Sequence, residues 1–227
     1  MKRSAVAVVV LSVLALSFLA ACGSTDVVAK VAKSSFAAVA AASKDRVSDQ
    51  VKAGAWTLSS AAGDLVSFSK DFSAAGSDVE FSLDVRPFLD AGLDATKLSF
   101  PAGISYSIDS GRLLLGFELG ADKFPEAAAT TFASDFAQIV GTQRTRVGYH
   151  EKLDHYGIKL GGGNMFEWAK DLSKNDKDIV WVLNPEPFIA AGVDPSKVGS
   201  WIFAKVESKD PAGKTVLEDK LLKPFDL

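Results

Sequence analysis

The chain repeats itself at an offset of one hundred residues, and no other feature restricts its fold as much. Set without a gap against residues 134–198, residues 34–98 give eighteen identical pairs. Among them are Phe36/Phe136, Arg46/Arg146, Gly63/Gly163, Lys70/Lys170 and Asp78/Asp178. The densest block is PFLDAGLDATKL at 87–98 against PFIAAGVDPSKV at 187–198. Other pairs keep size and character, such as Phe68/Trp168, Phe81/Trp181 and Val79/Ile179. Solenoid repeats run about 20–50 residues, so a period this long belongs to something else. Each copy is long enough to be a small domain. The expectation is two pseudo-symmetric lobes, unit one over residues 26–123 and unit two over 124–227.

The two copies serve as independent readings of one structure. In the first, apolar residues step by three and four from Val28 through Phe36 and Val39 to Val47 and Val51. That spacing predicts an amphipathic helix carried through to residue 51, with Thr25 or Asp26 as N-cap. In the second, Ala128, Phe132, Phe136, Ile139 and Val140 repeat the stripe, and Gly141 and Gly148 shorten it. Extended runs follow around Trp56–Leu58 and Tyr156–Ile158, then over 65–72 and 165–172. Residues 79–85 alternate apolar with polar, as a half-buried strand does. The counterpart, Ile179-Val180-Trp181-Val182-Leu183, is apolar on both faces, which predicts a strand covered on both sides. Pro87 and Pro187 suit the first turn of a short helix, Gly92 and Gly192 its C′ position, and Asp94 and Asp194 a cap on the next turn. A hairpin closes each unit, at 104–119 and 201–222. One unit therefore reads as a long helix, three strands, a short helix and two strands. The fold class is α+β, two repeats each with a mainly antiparallel sheet and one long and one short helix.

The first residues have a different character. Lys2 and Arg3 precede an unbroken apolar and small-residue run from Ala5 to Ala21, the layout of a secretory signal. Leu19-Ala20-Ala21-Cys22 resembles the bacterial lipobox, and Cys22 is the only cysteine. The resemblance is to bacterial lipoprotein precursors and covers the first tenth of the chain. It implies that residues 1–21 are cut away, that the Cys22 thiol takes a diacylglyceryl group, and that the new amine is acylated, with palmitate among the acyl groups. Two or three acyl chains hold a protein on a bilayer far more firmly than one, at about 0.8 kcal/mol per buried CH₂. Residues 22–25 form a short tether, so the body is expected to ride close to the membrane. In two-membrane hosts an Asp after the cysteine retains lipoproteins at the inner membrane. Gly23 stands there, which favours the outer one.

Composition then excludes several classes. With Cys22 committed to lipid, the exported domain has no disulfide framework and relies on an ordinary apolar core. The chain carries 25 basic and 28 acidic side chains, and loss of Lys2 and Arg3 takes the net charge from −3 to −5. An acidic domain argues against nucleic acid as a partner and against a polybasic grip on anionic lipid.

Residue patterns with chemical potential are few. His150-Glu151-Lys152-Leu153-Asp154-His155 is HExxxH, one residue longer than a zinc-protease helix motif. The first copy has Gln50 and Ala55 at the histidine positions, so both histidines are read as surface residues. Gly161-Gly162-Gly163-Asn164 lacks the Lys-Ser/Thr of a phosphate loop and reads as a tight turn. No Gly-x-Ser-x-Gly elbow occurs, and nothing in their spacing singles out Glu118, Glu167 or Glu186 as catalytic acids. Trp168, Trp181 and Trp201 all fall in the second copy, where core packing competes with a binding role. No cofactor or metal is implied. The sequence points to a non-enzymatic, membrane-anchored module of the cell envelope, binding an envelope protein, a polymer or a small apolar ligand between its lobes. A domain that engages lipid is the second reading, and an enzyme with a carboxylate site the third.

Overall fold

The computed structural model describes residues 25–71, 76–120, 131–150, 153–173, 177–209 and 214–227. Residues 1–21, where the sequence suggests an export signal, and also Cys22 and Ala128 lie outside these residues. Among the described residues, no helix is long and apolar enough to cross a membrane.

The first repeat runs α1 (Thr25–Ala42), β1 (Val47–Gln50), β2 (Ala55–Ser59), β3 (Leu65–Ser69), β4 (Val79–Asp84), α2 (Arg86–Asp90), β5 (Ile104–Asp109) and β6 (Arg112–Phe117). The second runs α3 (Phe132–Thr142), β7 (Val147–His150), β8 (His155–Gly161), β9 (Asn164–Ala169), β10 (Ile179–Leu183), α4 (Glu186–Ala190), β11 (Ile202–Lys209) and β12 (Thr215–Phe225). Each repeat forms one six-stranded antiparallel sheet, in the orders β1-β2-β3-β4-β6-β5 and β7-β8-β9-β10-β12-β11. The α+β class and the duplication of a sheet unit hold.

Two expectations change. The first helix stops at Ala42 rather than near 51, and the chain turns into an extra strand, β1, paired with β2 from Val47↔Leu58 to Gln50↔Ala55. Ser43 marks the stop: its hydroxyl donates back to the Val39 carbonyl at 2.7 Å. Val47 and Val51 continue the numerical spacing but not the helix. Residues 47–50 bury almost nothing, so they carry no alternation by which to be recognised. In the second repeat α3 starts at a capping box, Thr131 accepting from the Ser134 N–H while Ser134 accepts from the Thr131 N–H.

The second change concerns the lobes. One apolar core runs through both repeats, from Ala32, Phe36 and Phe81 to Trp168, Trp181 and Leu221. The helices are exchanged: α1 packs on α3 and on β7 and β9 of the second sheet, while α3 reaches β3 of the first. The Ser35 hydroxyl, on α1, donates to the Ala169 carbonyl on β9 at 2.9 Å. Equivalent residues meet on a pseudo-two-fold axis. Phe36 stacks on Phe136 with centroids 3.5 Å apart, Phe88 on Phe188 at 4.8 Å, and Phe81 on Trp181 at 5.5 Å. The reciprocity extends to the backbone, where the Asp94 N–H donates to the Ala191 carbonyl (2.8 Å) and the Asp194 N–H to the Ala91 carbonyl (2.9 Å). Such mutual contacts are what two-fold symmetry produces. Here the shared PF..AG block acquires a second reason. Gly92 (φ +105°) and Gly192 (φ +95°) cap their short helices, and a Cβ on either would also lie 2.8–3.0 Å from the other's carbonyl oxygen.

A buried ion pair adds an asymmetric tie. The Lys223 ammonium on β12 meets the fully buried Asp64 carboxylate in the β2–β3 turn of the other repeat. Asp64 also accepts the Asp84 N–H at 2.7 Å, and Arg112 lies 3.7 Å away. In the second repeat Asn164 does the same backbone work with an amide, accepting the Asn184 N–H at 3.0 Å.

Candidate functional site

The three tryptophans do not form a site. Trp168 and Trp181 are fully buried and Trp201 is 8% exposed, all within the shared core. The space between the repeats, expected to be a groove, is filled by stacked rings. Glu118, Glu167 and Glu186 sit on separate elements: after β6, on β9 and on α4. Gly161, Gly162 and Gly163 form the β8–β9 turn with φ of +108°, +55° and +81°. That turn offers the Gly163 carbonyl to the Lys220 ammonium at 3.1 Å, so it is a tight turn holding a cation.

The histidines are not on the surface. β7 and β8 form a tight hairpin that sets His150 opposite His155 on one face, and their side chains are buried, at 1% and 2% exposure. Hairpin geometry makes a five-residue separation cross-strand neighbours, which comparison with a helical motif does not anticipate. Glu167, also buried, lies on the same face with its Oε2 3.9 Å from His155 Nδ1, beyond hydrogen-bond distance. Among the described residues, no group of three His, Cys, Asp or Glu is placed to hold a metal ion.

These groups belong to the face of the second sheet that turns away from the shared core. Strand alternation assigns Phe166, Trp168, Ile179, Trp181 and Leu183 inward. Met165, Val180, Val182, Val206 and Leu222 form a separate apolar cluster outward. β10 is thus buried along its whole length, on both faces, as its composition predicts.

A cavity of about 360 Å³ opens on this outer face. Met165 on β9, Val182 on β10 and Val206 on β11 line it with apolar surface. Its far wall is made by a hairpin that outruns the sheet. β12 pairs with β10 only from Leu221 to Phe225, whereas residues 215–220 pair with β11 alone. The projecting part carries Val206, Glu218 and Lys220 to the cavity, opposite Lys159 on β8 and Arg146 just before β7. Lys220, 6% exposed, locks this arrangement: it donates to the Gly163 carbonyl and pairs with Glu218 at 3.0 Å. Burial opposes ionisation of Glu218, but the Lys220 ammonium outweighs it and holds the carboxyl below its ordinary range, with Lys159 adding to the effect.

The equivalent face of the first sheet is different. It carries two smaller hollows, one of about 200 Å³ lined by Gln50, Thr57, Ser67, Ser77 and Glu80 and one of about 280 Å³ lined by Ser77, Ser105, Gly116 and Glu118. Thr57 and Ser67 are hydrogen-bonded at 3.1 Å, and burial raises the Glu80 carboxyl. The second-sheet cavity was visible from sequence only through the two-sided apolarity of β10. Comparison of the chain with protein-family models, with curated proteins and with solved structures finds no match.

Proposed function

We propose that this chain is an exported lipoprotein, anchored in an envelope membrane through acylated Cys22, that acts as a non-enzymatic binding module. Its ligand is a small apolar molecule, held in the cavity on the outer face of the second sheet rather than between the repeats. One observation carries the reading. An exterior sheet face normally turns polar residues to water, and this one builds an apolar-floored cavity of about 360 Å³. That volume lies within the range of about 300–1,000 Å³ typical of small-molecule sites. The scaffold reading that accompanies it is two pseudo-symmetric repeats, each with one long and one short helix, the long ones exchanged so that the platform is rigid. With α1 starting at Thr25, only residues 22–24 would separate the lipid from the fold, which would keep the cavity near the membrane, where apolar molecules partition. In a two-membrane host Gly23 directs it to the outer membrane.

Two measurements test the two halves. Cells fed an alkyne analogue of palmitate should label the wild-type chain, and Cys22→Ala should abolish both the label and recovery in the membrane fraction. An unlabelled wild type would end the anchoring half. Native mass spectrometry of the lipoprotein extracted from its membranes should show an adduct of a few hundred daltons. Val206→Asp, which places a carboxylate in the cavity wall, should remove it. An adduct unchanged by that substitution would place the ligand elsewhere.

A further inference from the structure

We propose that two copies of this chain join edge to edge through β11, antiparallel and centred on Val206, so that their outer-face cavities lie side by side. The inference is independent of what the cavity holds. β11 ends the second sheet, and among the described residues no strand pairs with its other side. Nor, among them, does any backbone hydrogen bond outside the β11–β12 ladder involve residues 202–209. Edge strands are ordinarily kept short, bulged or broken by proline, which prevents pairing with another chain. β1 and β7, the opposite edges of the two sheets, have four residues each. β11 has eight, in unbroken register with β12 and without proline, and Ile202 and Phe203 are exposed at its start. The turn Pro195–Lys197 also contacts β11. It precedes Ile202 in the chain, so the pairing is placed on the projecting half.

The side chains select a second copy as the occupant. A two-fold axis normal to the sheet keeps each face on its own side, so opposed residues come from the same face. Phe203, opposite core residue Leu221, faces inward with Lys205 and Glu207, whereas Val206 faces outward with Ala204 and Ser208. Centred on Val206, the register sets Lys205 opposite the partner's Glu207 on both sides of the axis, and Ala204 opposite the partner's Ser208. Moving the centre by one residue sets Lys205 on Lys205 or Glu207 on Glu207, like charges directly opposed. Lys205 keeps its pair with Asp219 at 2.9 Å, because a residue in a sheet has a neighbour on each side. On the β12 side Glu207 has Leu217. Exposed charges such as these add little stability and act by selecting the register, while the backbone ladder supplies the affinity. On the outer face Val206, which lines its own cavity, meets the partner's Val206, so the two apolar floors become continuous.

Cysteine substitution reads the register directly. In full-length protein oxidised with copper–phenanthroline, Val206→Cys should cross-link to twice the chain mass. Opposed Cα atoms lie about 4.5–5.5 Å apart, within disulfide reach. Ala204→Cys and Ser208→Cys should each stay monomeric, since each is about 13 Å from its own copy along the strands. Combined in one chain, they should cross-link. The parent chain, whose only cysteine is Cys22, sets the background. Adding Lys205→Glu to Val206→Cys should abolish the cross-link, and adding Glu207→Lys as well should restore it. No cross-link above the parent from either Val206→Cys or the double-cysteine variant would overturn the dimer. Equal cross-linking by all three single variants would overturn it too, as random collision. A charge swap that fails to restore the cross-link would overturn the register.

Discussion

The two sheets share a topology and differ in what they turn outward. Facing the axis, Phe36 and Phe88 meet identical partners in Phe136 and Phe188, and Phe81 meets Trp181. Facing away, Thr57, Ser67, Glu80 and Ser82 become Gly157, Glu167, Val180 and Val182. Residues on a pseudo-two-fold axis touch their own equivalents, so a change in one copy is felt at once by the other. Outward residues have no such partner and are free to diverge. The duplicated fold thus supplies one conservative interior and two independent exteriors, of which the second has an apolar floor and the larger cavity.

The buried ion pair is a tie between the copies that the second repeat does not mirror. Lys223 and Asp64 are both buried, and truncating one strands the other's charge. Lys223→Met should cost about 3–5 kcal/mol in urea unfolding. Asp64→Asn gives the first repeat the amide that already serves at Asn164. Combined with Lys223→Met it should bring stability back to within about 1 kcal/mol of the parent, since the Asp84 N–H keeps its acceptor. A single Lys223→Met variant as stable as the parent would show that the buried pair adds nothing to the other contacts between the repeats.

A second asymmetry lies on the exchanged helices. Ser35 donates to a carbonyl of the opposite sheet. Its equivalent, Asp135, is fully buried, and neither of its oxygens has a hydrogen-bond partner among the described residues. Burial pushes its carboxyl up to about 7, with Lys70 pulling the other way. Because the folded protein holds this proton more tightly than the unfolded chain, its contribution is intact below pH 4. It is lost progressively as pH rises toward 7 and does not recover above. Asp135→Ser should therefore stabilise the protein by about 2–4 kcal/mol at pH 8, and by far less at pH 4. Thermal unfolding across that range checks it. A parent whose melting temperature does not fall between pH 4 and 7 would remove the ionised Asp135 from the account.

How much of this could be read from the chain depends on what periodicity encodes. The duplication, the two-sided burial of β10 and the caps at Gly92, Asp94 and their equivalents were legible, because each is a local pattern repeated twice. β1 was not: Val47-Ser48-Asp49-Gln50 buries almost nothing, and the preceding helical spacing runs numerically straight through it. Nor was the helix exchange legible. A 3.6-residue stripe says which face of α1 is apolar but not whose sheet receives it. Lys223 and Lys220 looked like any strand lysines. Their burial depends on a turn and a hairpin brought from far along the chain. The cavity depends on how far β12 outruns β10, a relation between strands that no single segment records.

Giving one exterior the other's residues tests what the divergence did. Val182→Ser places the first repeat's side chain on the cavity floor. It removes apolar contact from the cluster with Met165, Val180, Val206 and Leu222. Denaturant unfolding should show a loss of about 1–2 kcal/mol, and the adduct expected in native mass spectrometry should weaken or vanish. Loss of stability with full retention of the adduct would place the ligand away from β10.

The reverse transplant asks whether apolar surface is enough. Glu80 faces Ser67 across β3–β4 and Gly116 across β4–β6, and burial already disfavours its charge. Glu80→Val, the residue found at Val180, should stabilise the first sheet by no more than about 1 kcal/mol in the same assay. It should create no second ligand site. In the first repeat every residue of β6, from Arg112 to Phe117, is paired to β4, so no hairpin projects to wall a cavity. If Glu80→Val alone gave a second adduct in native mass spectrometry, apolarity would be the origin of the site. An unchanged adduct count would leave the projecting β11–β12 hairpin as the feature that gave the second of two equivalent faces its larger, apolar-floored cavity.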